Sequence, residues 1–266
     1  MNITQKFLTK NRCYTKNQKI AVKGLMIHSI GTPQPSAQVL IDSWNNPSVS
    51  CCVHAFIDGN TGKVFQTLPW EHRGWHAGSK ANNTHIGVEM CEPNTIKYKP
   101  NSAIWTEQAD GTNTKAVVLR TYKSAVKLFA YLCKEFDLNP LEDGVVISHA
   151  EGYKRGIATN HGDVEHLWEK HGLTMDGFRN DIAAAMHDVA DEPKEFKPYL
   201  IKVTVKDFLN IRKGAGTDTA VVGKIAGKDL IYNYTIVAEA EGKGASKWGK
   251  LKSGAGWISL DYTKKI

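Results

Sequence analysis

The chain has 266 residues, 41% of them hydrophobic and 23% charged, which is a globular composition with room for one large domain or two modest ones. No run approaches 18 consecutive apolar residues, and the opening MNITQKFLTKNRCYTK lacks the apolar stretch of a secretory leader. The net charge of +7 is uneven: residues 1–195 hold 21 Lys+Arg against 21 Asp+Glu, whereas residues 196–266 hold 13 against 6, so the whole excess lies in the tail. A basic tail attracts a polyanion such as nucleic acid, a membrane surface or an anionic cell wall.

In chain order, GLMIHSIG (24–31) is a short apolar run that reads as a buried strand carrying His28 near its C-terminal end. PSAQVLIDSWNN (35–46) predicts a helix of two to three turns with Ser36 as its N-cap. CCVHAFID and KVFQTLP flank the turn GNTG and predict a hairpin. HIGVEMCEP predicts another apolar strand, with Glu89 near its end. TKAVVLRTYKSAVKLFAYLCKEFDL (114–138) has apolar residues at helical spacing, among them Val117, Val118, Leu128, Phe129 and Leu132, and predicts the longest helix. VVISHAE repeats the strand-then-histidine pattern with His149, and a last helix is expected over about 174–187. Strands and helices in this order predict an α/β domain with a central mixed sheet flanked by helices.

DVADEPKEFKPY (188–199), charged and holding two prolines, reads as a linker between a domain at 1–187 and another at 200–266. The tail runs YLIKVTV, LNIRK, AVVGKI, LIYNYTIVAEAE, KWGKLK and GWISL are short and β-rich, and predict a small all-β barrel. Cys13, Cys51, Cys52, Cys91 and Cys133 are odd in number and irregularly spaced, with no CxxC. They predict idle or buried thiols rather than a disulfide framework.

Two histidines at the ends of apolar strands suggest a metal site. A hydrolytic zinc takes three protein ligands and leaves a fourth position for water. The segment following His149 offers Asp163, Glu151, His161, His166 and Glu165 as third ligands, and position alone does not choose among them.

The ordered set strand-His, HAFID-G hairpin, W-H-A-G, I-G-V-E, long helix and S-H-A-E…N-H-G-D resembles the zinc N-acetylmuramoyl-L-alanine amidases related to phage T7 lysozyme and the peptidoglycan recognition proteins, over roughly residues 20–185. The resemblance implies Zn²⁺ held by His28, His149 and Asp163. It implies that Glu89 is the general base, and that His161, standing where the family has Lys, stabilises the oxyanion. His54 and Trp75 are expected along the substrate groove. His76 would contact peptide or stand behind the metal, and Asn83 would shape the loop before the I-G-V-E strand. LNIRKGAGTDTAVVGKI and KWGKLKSGAGWISLDYTKKI resemble bacterial SH3-like (SH3b) domains over roughly 200–266. That implies a wall-binding module in which Trp248, Trp257, Tyr232, Tyr234 and Tyr262 divide between aromatic surface and core.

The expected partner is therefore peptidoglycan, without nucleic acid or membrane insertion, and a monomer is favoured. The expected reaction cuts the amide between N-acetylmuramic acid and L-alanine. A non-catalytic peptidoglycan-binding protein and a zinc amidase of soluble wall fragments are the alternatives. A wall amidase with an SH3b module and no leader is the layout of a phage endolysin released through holin pores, or of an autolysin exported another way.

Overall fold

The computed structural model describes residues 1–108, 111–188, 196, 198–227 and 233–266. It divides into two compact units, Met1–Asp191 and Glu192–Ile266. Most of the expected linker, and Tyr232, lie outside the described residues. Among the described residues no helix is long and apolar enough to cross a membrane.

In the first unit, β1 (Ile3–Gln5), β2 (Gly24–Ser29), β3 (Ala55–Ile57), β4 (Val64–Gln66) and β5 (His85–Met90) join a later strand in one sheet. Helices α1 (Arg12–Lys16) and α2 (Ala37–Trp44) connect the early strands. A separate hairpin, β6 (Ile96–Tyr98) and β7 (Trp105–Glu107), precedes α3 (Thr112–Glu135). Then come β8 (Val146–Ser148), α4 (His149–Lys154), α5 (Glu165–Trp168) and α6 (Met175–Asp188). The strand order is β1-β4-β3-β5-β2-β8. The β3–β5, β5–β2 and β2–β8 pairs are parallel and β3–β4 is antiparallel, so the sheet is mixed as expected.

Alternation along the strands sorts the residues by face. Leu25, Ile27, Ile86 and Val88 join Phe129, Leu132 and Phe178 of the helices in the largest core cluster. Met26 and Ile147 pack on the opposite side with Ala77, Ala81 and Ala158. Phe129 is fully buried, so its truncation to Ala costs about 3–5 kcal/mol. The odd residues of β2 thus serve the helical core, and His28 falls on the other face beside Met26.

Two local expectations hold in position and gain detail. Ser36 occupies the N-cap position of α2, but its side chain makes no capping bond. The Asp58 carboxylate accepts the Ala37 N–H instead, at 2.9 Å, from the turn of the β3–β4 hairpin. The strand-then-histidine pattern of VVISHAE holds, with β8 ending at Ser148, and His149 opens a helix that the pattern did not announce. Ser148 Oγ accepts the Glu151 N–H at 3.0 Å while Glu151 Oε2 accepts the Ser148 N–H at 3.2 Å, a capping box spelled S-x-x-E in the sequence.

The second unit is antiparallel throughout. It comprises β9 (Tyr199–Val203), β10 (Phe208–Arg212), β11 (Val221–Ala226), β12 (Tyr234–Gly242), β13 (Ala245–Leu251), β14 (Trp257–Ser259) and β15 (Thr263–Lys265). The order is β11-β10-β14-β13-β12-β9-β15, over a core that includes Ile201, Ile211, Ile236, Leu251 and Ile258.

Candidate metal centre and active-site cavity

Three adjacent parallel strands deliver three of the candidate groups to one edge. His28, next to last in β2, stands directly opposite Glu89 of β5, and His149 follows Ser148 at the end of β8. The carboxyl ends of parallel strands are where open α/β sheets place their ligands. The loop after α4 brings the fourth group, Asp163.

His28 Nδ1 stands 3.1 Å from Asp163 Oδ2 and 3.1 Å from His149 Nδ1, and His149 Nδ1 stands 3.8 Å from Asp163 Oδ1. The three residues offer one ligand atom each within 4.8 Å of one another. Ligands about 2.0–2.1 Å from a tetrahedral zinc are roughly 3.3 Å apart, so the observed spacing fits that ion. Two nitrogens and one carboxylate are also a donor set that zinc accepts.

The hydrogen bonds behind the histidines assign their tautomers. Burial, joined by His28 and His54, holds His76 well below its ordinary pKa, so its ring is neutral. His76 Nε2–H donates to the His85 carbonyl at 3.0 Å, which leaves Nδ1 to accept the His28 Nε2–H at 3.0 Å. In that tautomer His28 would offer its Nδ1 lone pair to a metal held at the centre. Thr159 does the same for His149. Its hydroxyl donates to the Ala77 carbonyl and accepts from His149 Nε2–H, each at 3.3 Å. Such outer partners fix ring orientation and ligand basicity. Gly87 is needed here, because a Cβ at this position would stand 2.4 Å from the His76 ring.

Burial also lowers His149 to about 4, with His28 adding to the effect. For Asp163 burial acts upward, but its contacts with His28 and His149 outweigh it and hold the carboxyl low. Glu89 is driven the other way. Burial, then Asp163 and Glu92, raise it well above the carboxylate range, and its Oε2 is buried without a hydrogen-bond partner.

These groups open into a cavity of about 600 Å³, which Glu89, His161 and Trp75 also line. His161 is exposed, with Nδ1 3.2 Å from both His149 Nε2 and Thr159 Oγ1. Trp75 is 41% exposed, with the Arg73 guanidinium 5.1 Å from its ring.

The expectations for His54, Asn83 and His76 fare differently. His54 is fully buried and does not line the cavity. Its Nε2–H donates to the His72 carbonyl at 2.7 Å and its Nδ1 accepts the Gly87 N–H at 3.0 Å, so it braces the strands. Asn83 is exposed and accepts a bond from Arg73 away from the cavity. The loop is held by Asn82 instead, whose Oδ1 accepts the His76 and Ala77 N–H groups at 2.8 and 2.9 Å. His76 touches the cavity with both its nitrogens engaged in the relay described above, so of its two expected roles the one behind His28 fits.

The remaining third-ligand candidates have other duties. Glu151 caps α4 and pairs with Arg179 at 3.0 and 3.1 Å. Glu165 accepts the Ser148 hydroxyl at 2.6 Å. His166 Nδ1–H donates to the Gly162 carbonyl, while its Nε2 lies 2.7 Å from the Tyr98 hydroxyl. That hydroxyl is also 2.7 Å from Glu92, a fully buried carboxyl that accepts the Gly31 N–H. Burial raises Glu92 to about 7. The Glu92–Tyr98–His166 chain ties the end of β5 and the β6–β7 hairpin to the loop bearing Asp163. Nothing in the reading of the sequence pointed to it.

Residues 17–165 match the N-acetylmuramoyl-L-alanine amidase family. No curated protein matches the chain. Among solved structures, the hydrolase AmiA of Staphylococcus aureus in complex with its ligand is similar at 18% identity and a TM-score of 0.54, over 71% of this chain and 85% of that one. PlyL aligns at 16% identity and a TM-score of 0.49, over 68% of this chain and 97% of that one. A mutant endolysin from Bacillus subtilis aligns at 19% and 0.47, over 68% and 99%. The likeness to AmiA shows a shared fold for the first unit. With more than half of its length matched, the chain belongs to the N-acetylmuramoyl-L-alanine amidase family.

Proposed function

We propose that the first unit is a zinc-dependent peptidoglycan amidase that hydrolyses the bond between N-acetylmuramic acid and the L-alanine of the stem peptide. The observation that carries this reading is the His28–His149–Asp163 triad at the same sheet edge as the unpartnered Glu89. Zinc held by those three residues would supply a Lewis acid that polarises the scissile carbonyl and acidifies water.

The chain's own groups account for the rest. Glu89, with its raised proton affinity, is suited to take the proton of the attacking water and return it to the leaving amine. His161, exposed on the cavity wall, is suited to donate a hydrogen bond to the oxygen where charge develops. Trp75 offers an exposed ring along the groove, and Thr159 and His76 keep the two histidine ligands in the productive tautomer.

For the second unit we propose an SH3-like wall-binding module. Its antiparallel architecture and the basic excess of residues 196–266 support that role.

Mass spectrometry of digested sacculi tests the reaction. New stem peptides with a free L-alanine N-terminus are the expected product. New reducing sugar ends or cut cross-bridges would overturn the assignment. Stoichiometric zinc with no cleavage would make the chain a binding protein.

A further inference from the structure

We propose that the second unit contains a binding site for an uncharged secondary amide, formed by Trp248 and Ser259. These residues are direct cross-strand partners in β13 and β14, so their side chains stand side by side on one face. They are 2% and 4% exposed, and Trp248 Nε1 and Ser259 Oγ are both buried with no hydrogen-bond partner. Buried indole N–H and hydroxyl groups are paired as a rule. Both line one cavity of about 280 Å³.

The chemistry of the two orphans specifies the ligand. An indole N–H only donates, so it requires an acceptor, whereas a hydroxyl accepts as well as donates. A secondary amide brings a carbonyl and an N–H in one rigid group and satisfies both. Charge is not called for. Among the described residues no carboxylate lines the cavity, and the cation that does, Arg212, is spent on the carbonyls of Thr217 and Thr219 at 3.0 and 2.6 Å. Phe208 and Tyr262, 48% and 49% exposed, add apolar surface to the lining.

In peptidoglycan this group occurs both in peptide linkages and in the N-acetyl substituents of the glycan. The identification with the wall rests on the module proposed above; the amide site does not. Full-length chain labelled with ¹⁵N-tryptophan separates the two sources by NMR, using N-acetyl-alanyl-alanine amide as one probe and an N-acetylglucosamine trimer as the other. Trp248→Phe identifies the Trp248 indole resonance by its loss, and Ser259→Ala removes the second partner with little risk to folding. Saturable movement of that resonance by one probe is expected, with affinity roughly threefold to tenfold weaker in Ser259→Ala. No movement with either probe, or equal affinity in a folded Ser259→Ala chain, overturns the site. Sacculus pelleting by the wild-type chain reports separately on wall binding, so a failed amide site and a failed wall module give different results.

Discussion

Replacing Glu92 by Gln should reverse part of the protein's pH response. Glu92 is fully buried against the Gly31 N–H and the Tyr98 hydroxyl, and burial raises its pKa from 4.5 to about 7. A carboxyl that binds its proton more tightly when folded contributes stability below the unfolded pKa. That stability is lost as pH rises through the folded pKa. Between pH 5 and 8 the loss is about 2.5 kcal/mol, because each pH unit of separation is worth about 1.4 kcal/mol. Glutamine keeps the shape and titrates nothing. Urea unfolding of both chains at a series of pH values, with chelator present throughout, gives the difference between them. His54, His76 and His149, whose pKa values are lowered by burial, push stability down as pH falls, but they are common to both chains and cancel. The wild type should lose about 2.5 kcal/mol relative to Glu92→Gln from pH 5 to pH 8. A difference that does not vary with pH would refute the raised proton affinity of Glu92.

Glu89→Gln should retain stoichiometric zinc and lose about 10²–10⁴-fold in hydrolysis, read from sacculus turbidity beside metal analysis; full activity would remove Glu89 from the mechanism. His76→Phe should weaken zinc binding by about 10–100-fold in chelator competition, since His28 would lose the acceptor that fixes its tautomer; unchanged affinity would refute the relay. Zinc at about 100 times its Kd should stabilise the first unit by about 2.7 kcal/mol. Asp163→Asn should abolish most of that gain, and an equal gain in the variant would exclude Asp163 from the ligand set.

The fold was legible where periodicity is strong. The run of apolar residues through α3, the apolar strands β2 and β5, and the hairpin turn between β3 and β4 all carry local signals that survive into the structure. What was not legible is mostly contact at long range. Asp58 replaces Ser36 as the cap of α2 because the hairpin folds back on the helix, which no local pattern announces. His54 looked like a groove residue because a histidine in a strand is polar. Its two backbone partners, at His72 and Gly87, are what make its burial tolerable. Asn82 and Asn83 are adjacent and chemically alike, and only the turn between them and β5 decides which one holds the loop. The capping box at Ser148 and Glu151, by contrast, was written in the sequence and would have marked the helix that opens at His149.

The same burial that hides these residues separates their proton affinities. Desolvation disfavours whichever form is charged, so it lowers a histidine and raises a carboxyl. At the sheet edge it takes His149 down to about 4 and Glu89 well up, although both line one cavity. A neutral imidazole is the form that ligates a metal, and a carboxyl with a high proton affinity is the form that can take and hold a proton near neutral pH. Asp163 escapes the trend through its contacts with His28 and His149, which suits the anionic member of the proposed ligand set. Environments that push neighbouring groups apart in this way assign acid, base and ligand roles. Here they fit the proposed roles along three adjacent parallel strands and one loop of the first unit.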